Sequence, residues 1–364
     1  MTSVEPRSTQ VRKAVVLCSG EGTRLRRFSF SSPKHLMPVA NRPVIAWIFD
    51  TLTESGIEDV AVVVSPLNER ILRRELGART EHGMSLSFVV QEEPKGLAHA
   101  VACAREFVAG DSFLLYLGDN LLESGVVEIV RGFRSGTHAA GIALIEVPDS
   151  SHFGVVRLEG KTIIELIEKP PEPPSNWAVA GAYVFPQRIF QAIERVTPSQ
   201  RGELEITDAI QLLIRDQWNV NAHFVQGWWK DVGLPKDLIL ASELLMNRGV
   251  PRTCGDVDTS SMMDGLVVVE KGASVRGSTL QGPCIVGYDA QIVNSKIGPN
   301  VAVGDACRIE GSQIRSERIF RWTRRVLSML CNSIVGRRSR LVPTSSDVCY
   351  TALVGADSFV YLRP

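Results

Sequence analysis

Between residues 13 and 240 short apolar runs alternate with segments of helical spacing, and this alternation constrains the fold more than any other feature. "AVVLCS", "DVAVVVS", "SLSFVVQ" and "SFLLYLGD" read as strands. "PVIAWIFDTLTESG", "NERILRREL" and "GLAHAVACAREFVAG" between them read as helices. Strands alternating with helices predict an α/β fold, a mostly parallel sheet covered on both faces. From 139 the strands lengthen ("AAGIALIEV", "FGVVRLEG", "KTIIELIEKP", "WAVAGAYVF"), and helices are expected over 187–196 and 203–217. A strand, "NAHFVQGWW", and a helix, "KDLILASELLMNRG", then close a first domain, 1–246. Ligands of such sheets bind beyond the carboxyl ends of the strands. The Gly-rich stretch after the first strand and "LGDN" after a later one both fall there.

The remainder has another rhythm. "VPRTCGDVDTSSMMDG" is polar and broken by Pro and Gly, and reads as a linker over 247–264. In 265–364 an aliphatic residue recurs every five to seven positions, at Val269, Val275, Leu280, Ile285, Ile292, Ile297, Val303, Ile309 and Ile314, with glycines and small polar residues between. That pattern predicts a parallel β-helix of hexapeptide repeats, a fold whose known examples wind left-handed against the usual crossover rule. At 317–331 the rhythm blurs into "ERIFRWTRRVLSMLC". Either the coil continues with an arginine-rich outer face or a loop interrupts it; continuation is the reading taken.

The chain has 364 residues and is 44% hydrophobic, enough for two domains with sizeable cores. Its 40 basic and 40 acidic residues cancel, so net charge offers no argument for nucleic acid or an anionic membrane as partner. No apolar run reaches the roughly 18 residues needed to span a bilayer, and the start, "MTSVEPRSTQVRK", lacks the apolar core of a signal peptide. The seven scattered cysteines form no C-x-x-C pair and read as free thiols in a reducing cytoplasm, with no zinc site.

The stretch "VVLCSGEGTRLRRF" asks which anion is meant to sit over it. A G-x-G pair alone is a weak signal. It lacks the third glycine of a dinucleotide fold and the G-K-[ST] of a phosphate-binding loop. Its companions carry more: "SPKHLMPVANRPVI", "QEEPKGLAHA", "LYLGDN", "FGVV", "IEKP", "RGELEITDAI" and "WWKDVG", in that order. Together they resemble the sugar-1-phosphate nucleotidyltransferases, most closely the glucose-1-phosphate thymidylyltransferases, over about residues 12–245. The repeat tail resembles that of the family's long form. The resemblance implies a Rossmann-like domain that joins glucose 1-phosphate to a nucleoside triphosphate, dTTP or UTP, and releases pyrophosphate.

The chemistry is consistent with the residues. A phosphate monoester is largely ionised at neutral pH, its second pKa being about 6, so the attacking oxygen needs no general base. What is needed is alignment of two phosphates and neutralisation of their charge. By resemblance, the backbone around Leu17, Ser19, Gly20, Gly22 and Thr23 cradles the triphosphate and Arg24 holds the departing pyrophosphate. Lys34 neutralises the α-phosphate, and Asp119 and Asp231 hold Mg²⁺. Lys169 binds the sugar phosphate, and Glu168, Gly154 and Val179 meet the sugar. Gln91 and Gly96 face the pyrimidine, whose edge asks for both a donor and an acceptor. Singly, each residue has a plainer role: Asp119 before Asn120 suits an Asx turn, Lys169 a solvated surface, and Trp228 and Trp229 a wall. His35, His99 and His152 are assigned no catalytic role.

Departures from the family pattern stand in the loop. Ser19 takes the place of the first glycine, Cys18 a small residue's, Glu21 the variable position and Arg27 a common proline's, while His35 stands where thymidylyltransferases often have Gln. Two rival readings follow. Repeat coils of this type also serve acyltransferases, which usually place a histidine in or beside the coil; residues 247–364 contain none. A non-catalytic regulatory homologue that binds a nucleotide sugar is the other, against which both carboxylates argue. The tail is therefore expected to be structural, an assembly surface or a lid support, in a cytoplasmic homo-oligomer.

Overall fold

A computed structural model of the chain describes residues 10–20, 22, 33–78, 80, 83–133 and 140–315, with the backbone of seven short strands between 318 and 362. It divides into two compact units, Met1–Glu21 with Ile45–Asp231, and Gly22–Val44 with Val232–Pro364.

In the first unit, β1 (Lys13–Leu17), β4 (Asp59–Val64), β5 (Ser85–Val90) and β6 (Phe113–Leu117) lie parallel, in the order β5-β4-β1-β6. Their near-continuous apolar sequences follow from burial on both faces: Val15, Val16, Val62, Val63, Leu114 and Leu115 have no exposure. Helices α1 (Val44–Glu54), α2 (Glu69–Leu76), α3 (Leu97–Cys103) and α4 (Arg105–Val108) connect these strands. The sheet continues as a mixed one through β11 (Trp177–Phe185), β8 (Ala140–Glu146), β12 (Val220–Phe224), β10 (Thr162–Glu168) and β9 (Gly154–Glu159). Strand β11 is antiparallel to β6 and β8, and β10 is antiparallel to β9. Helices α5 (Val127–Gly132), α6 (Ile189–Ile193) and α7 (Ile206–Arg215) complete the layer set. A separate two-stranded ladder joins β7 (Asn120–Leu122) to β13 (Trp229–Asp231). This is the Rossmann-like α/β fold that the resemblance implies, but the sheet is mixed where the alternation predicts a mostly parallel one: β9 and β10 form a hairpin, β10 runs antiparallel to β12, and β11 runs back between β6 and β8.

The second unit holds a 3-10 turn (Lys34–Leu36), a hairpin of β2 (Pro38–Val39) and β3 (Arg42–Pro43), and helix α8 (Pro235–Met246). Ala40 and Asn41 turn the hairpin at φ of 48° and 63°, the paired left-handed conformation that suits a two-residue loop. Two bonds secure it: Ala40 N–H to the buried Ser242 hydroxyl of α8 at 3.1 Å, and Asn41 Nδ2 to the Val303 carbonyl at 2.6 Å.

Beyond α8, short strands visit three parallel sheets in rotation. Val269 pairs with Val286 and Val286 with Val303; Val275 pairs with Ile292 and Ile292 with Ile309; Leu280 pairs with Ile297 and Ile297 with Ile314. Each of these residues is buried, so the repeat stacks like on like. Two details differ from the sequence reading. The segment expected as a linker, 247–264, contains strands Arg252–Thr253, Asp256–Val257 and Met262–Asp264, each parallel to the strand of the next rung. Its Pro and Gly residues are the corner chemistry of a rung, which composition cannot tell from a linker's. And Ile285 does not point inward: alternation along Cys284–Val286 buries Cys284 and Val286 instead. Strands Arg318–Ile319 and Met329–Cys331 extend two of the sheets, whereas 320–328 lies outside the described residues. Among the described residues no helix is long and apolar enough to cross a membrane.

Asn41→Ala removes the bond to the Val303 carbonyl. A loss of about 1 kcal/mol, or a fall in Tm of about 2–4 °C, is expected by calorimetry. An unchanged Tm would show that the hairpin does not depend on it.

Candidate active site

The parallel register sets three candidates at one end of the first unit's sheet. Leu17 pairs with Val63 and Leu117, and Val64 with Val90. Ser19, Gln91 and Asp119 thus follow their strands by one or two residues at the carboxyl edge. Leu17 is buried and its carbonyl accepts from Gly118 N–H at 2.9 Å; Asn68 Nδ2 bonds the Cys18 carbonyl at 2.8 Å. The loop leaves β1 from two fixed carbonyls.

Ser19 Oγ donates to Gln91 Oε1 at 2.5 Å. Gln91 Nε2 donates to the Gly96 carbonyl at 3.2 Å and faces His99 Nδ1 at 3.1 Å. Gln91, expected to present donor and acceptor alike, therefore has both donor directions engaged by the protein. Gly96, at φ of 104°, could bear no side chain: a Cβ would stand 2.6 Å from the backbone N and O of Leu204. Gly20 follows Ser19 as an exposed position. Thr23 and Arg24 lie outside the described residues.

In the second unit, Lys34 opens the 3-10 turn, with its carbonyl accepting from Met37 N–H at 3.0 Å. Gly22, at φ of 58°, lies against it. A Cβ on Gly22 would meet Lys34 Cβ and Cδ at 3.4 Å, so two residues singled out in sequence meet here.

Asp119 and Asp231 are brought together by the β7–β13 ladder, whose register sets Asp231 opposite Asn120. Asn120 is buried and clamped: Trp229 Nε1 donates to its Oδ1 at 2.6 Å, and its Nδ2 donates to Asp119 Oδ1 at 2.8 Å. Gly181, at φ of 75° in a bulge of β11, lets that strand pass close, since a Cβ there would stand 2.8 Å from Asn120 Cγ. Carboxylates are the donor type that Mg²⁺ takes; it binds oxygen ligands and commonly completes its shell with water and substrate phosphate. No group of three His, Cys, Asp or Glu that could hold a metal ion occurs among the described residues.

The sugar candidates also converge. Register pairs Gly154 with Glu168 across β9 and β10. A Cβ on Gly154 would meet Thr207 Cγ2 at 3.1 Å, and Glu168 Oε2 and Val179 Cγ2 at 3.4 Å. Phe153 packs edge-on against Trp229, with ring centroids 4.9 Å apart. Lys169, at φ of 45° before Pro170, is a strained non-glycine position of the kind that gathers at functional sites. Its Nζ stands 3.3 Å from Glu168 Oε1. Glu168 and Lys169 line a cavity of about 440 Å³ with Arg201, Glu205, Asp208 and Arg215. Arg201 Nη2 reaches Glu168 Oε1 at 3.2 Å and Glu205 Oε1 at 2.7 Å. Glu205 is only 3% exposed, so Arg201 compensates a buried charge.

The pattern of the nucleotidyl transferase family matches residues 13–248. The chain belongs to that family. The low-salt glycan biosynthesis nucleotidyltransferase Agl11 of Haloferax volcanii is 40% identical over 85% of this chain and 87% of its own. The glucose-1-phosphate thymidylyltransferase of Streptomyces griseus is 38% identical, over 85% and 87%. Among solved structures, the UTP-bound UGPase of Acinetobacter baumannii superposes with a TM-score of 0.57 at 29% identity, covering 65% of this chain and 93% of that one.

Within this nucleotidyl transferase, sequence reading missed four groups. Arg201 and Thr207 stand in the quoted "RGELEITDAI", but nothing local says that they reach Glu168 and Gly154. Asn120 and Trp229 were read as turn and wall; their bond joins positions 109 apart. Buried Thr207 Oγ1 has no hydrogen-bond partner among the described residues, while its methyl group packs toward Gly154.

Burial, with the charges of Glu205 and Glu168, raises the Asp208 carboxyl above its ordinary value, against the opposing pull of Arg215 and Arg201. The folded chain therefore holds this proton more tightly than the unfolded one. Its contribution favours folding in acid and is lost as pH rises through the raised value. Asp208→Asn is expected to raise Tm at neutral pH and to leave it unchanged near pH 4, measured by calorimetry at both. Equal melting at neutral pH would contradict the cause given.

Proposed function

We propose that this nucleotidyl transferase joins dTTP to glucose 1-phosphate, giving dTDP-glucose and pyrophosphate. The observation that carries the reading is the β7–β13 ladder, whose register pairs Asp231 with Asn120, the residue next to Asp119, and so supports a shared role for the two carboxylates. The Streptomyces griseus relative, named for this activity, supports the choice of dTTP and of glucose 1-phosphate. UTP is the second candidate, favoured by the UTP-bound Acinetobacter baumannii structure.

The sugar phosphate oxygen attacks the α-phosphorus, a P–O bond forms, and the bond from the α-phosphorus to the bridging oxygen breaks. The electron pair leaves on pyrophosphate. Backbone N–H groups of Ser19, Gly20, Gly22 and Thr23, at the carboxyl end of β1, cradle the triphosphate, and Arg24 takes the departing charge. Lys34 meets the charge that grows at the α-phosphate. Lys169 holds the sugar phosphate, and Arg201, in the same cavity, is a second cation for it. Glu168 accepts from sugar hydroxyls, while Gly154 and Val179 leave room for the ring. Gln91 and Gly96 meet the base. Mg²⁺, held by Asp119 and Asp231, would supply positive charge to the phosphates of the substrate.

The three rotating parallel sheets and their 17-residue step support a left-handed β-helix of hexapeptide repeats. We assign residues 1–246 to catalysis and the rungs after them to assembly of a cytoplasmic homo-oligomer. With no histidine in 247–364, acyl transfer by the coil has no candidate base.

Pyrophosphate release with glucose 1-phosphate and each of dTTP, UTP, ATP, CTP and GTP tests the reaction; silence with all five would end it. Asp231→Asn is expected to abolish Mg²⁺-dependent turnover in a folded protein, and near-normal rates at saturating Mg²⁺ would remove Asp231 from the metal site. Lys34→Ala is expected to lower kcat by about 10²-fold or more with a smaller change in KM, since its contact strengthens in the transition state. A change confined to KM would make Lys34 a ground-state binder.

A further inference from the structure

We propose that Ser19 selects the nucleobase by positioning Gln91: its hydroxyl holds the Gln91 carboxamide so that only an acceptor faces the base. The inference rests on the reading above, in which Gln91 meets the base of the nucleotide.

Three contacts determine the amide. The Gly96 carbonyl accepts only, so the end of Gln91 that faces it at 3.2 Å must be the NH₂. The carboxamide oxygen therefore faces Ser19, and the Ser19 hydroxyl must be the donor of their 2.5 Å bond. The second amide hydrogen points to His99 Nδ1, 3.1 Å away, which accepts when the imidazole carries its proton on Nε2. Both donors of Gln91 are thereby committed to the protein. Of the two lone pairs on Oε1, one is taken by Ser19 and one is left.

Gln91 is enclosed and tied to the sheet. Gln91 is 5% exposed, and its own N–H is bonded to the Val64 carbonyl at 2.8 Å. Ser19 itself is not among the residues with positive φ, so its Cβ carries no left-handed strain. A glycine at position 19 would leave the oxygen end of the amide unheld.

A fixed acceptor with no donor beside it rewards a base that offers N–H and penalises one that offers a lone pair at the same place. A 2,4-dioxopyrimidine offers N3–H. Cytosine offers a bare N3, which would set lone pair against lone pair in a buried site. Ser19 thus contributes selection for dioxopyrimidine over aminopyrimidine nucleotides, while the contact that makes the selection is Gln91's.

The test compares dTTP, UTP and CTP in the full-length protein, by kcat/KM for pyrophosphate release and by equilibrium binding of each nucleotide. Ser19→Ala and Ser19→Gly are each expected to lower the dTTP/CTP and UTP/CTP ratios about tenfold, most of the change falling on dTTP and UTP. Ser19→Thr, which keeps the hydroxyl, is expected to restore the ratio. In a Gln91→Ala background, adding Ser19→Ala is expected to change the ratio no further. Ratios unchanged in folded Ser19 variants, equal losses with all three nucleotides, or additive effects of the two substitutions would each overturn the assignment. Should the wild type release no pyrophosphate from any nucleotide, the reaction proposed above fails, and the binding ratios still decide the role of Ser19.

Discussion

The hydrogen-bond ladder of β1 with β4 and β6 is the constraint on which the first unit depends. A parallel register moves strand ends together, so Leu17, Val63 and Leu117 share one level. Once they do, Ser19 and Asp119 must emerge at the same edge, and Gln91 joins them because β5 is in register with β4. A slip of one residue would turn every side chain to the opposite face. Both faces of these strands are buried, so polarity does not oppose the slip; the close fit of the particular valines and leucines does, and core packing and site geometry are one constraint.

The polar groups beyond that edge are held by one another. Asn120 fastens Asp119 to Trp229, and the ladder that contains Trp229 delivers Asp231. Burial pushes the Tyr116 phenol far up, with the charge of Asp119 adding to it, so Tyr116 stays neutral beneath the carboxylate. In the cavity beside β10, Arg201 stands between Glu168 and the buried Glu205 while Lys169 pairs with Glu168.

Much of this was legible in the sequence. Strands and helices of the first unit fall where the apolar runs place them, and Gly154, Glu168 and Val179 do meet. The signal failed where roles depend on a partner far along the chain. Gln91 looked like a two-way reader because an amide has both functions; Ser19 and Gly96 decide which is left. "RGELEITDAI" looked like a loop before a helix, and only the fold turns Arg201 toward Glu168. Ile285 fitted the repeat count, yet alternation within a three-residue strand put Cys284 and Val286 inside.

By itself the sequence determined what is periodic and local: the alternation that makes a parallel α/β sheet, the repeat that stacks Val275, Ile292 and Ile309, and the glycines at 22 and 96 where positive φ is required. The tertiary structure decided what is distant. Ser19 and Gln91 are 72 positions apart, Asn120 and Trp229 are 109 apart, and Arg201 and Glu168 are 33 apart. Periodicity reports which face of an element is buried, because burial repeats with the pitch of the backbone. It is silent on which polar groups meet at the end of a sheet, because that is set by strand order and register, and these follow from the packing of the whole unit.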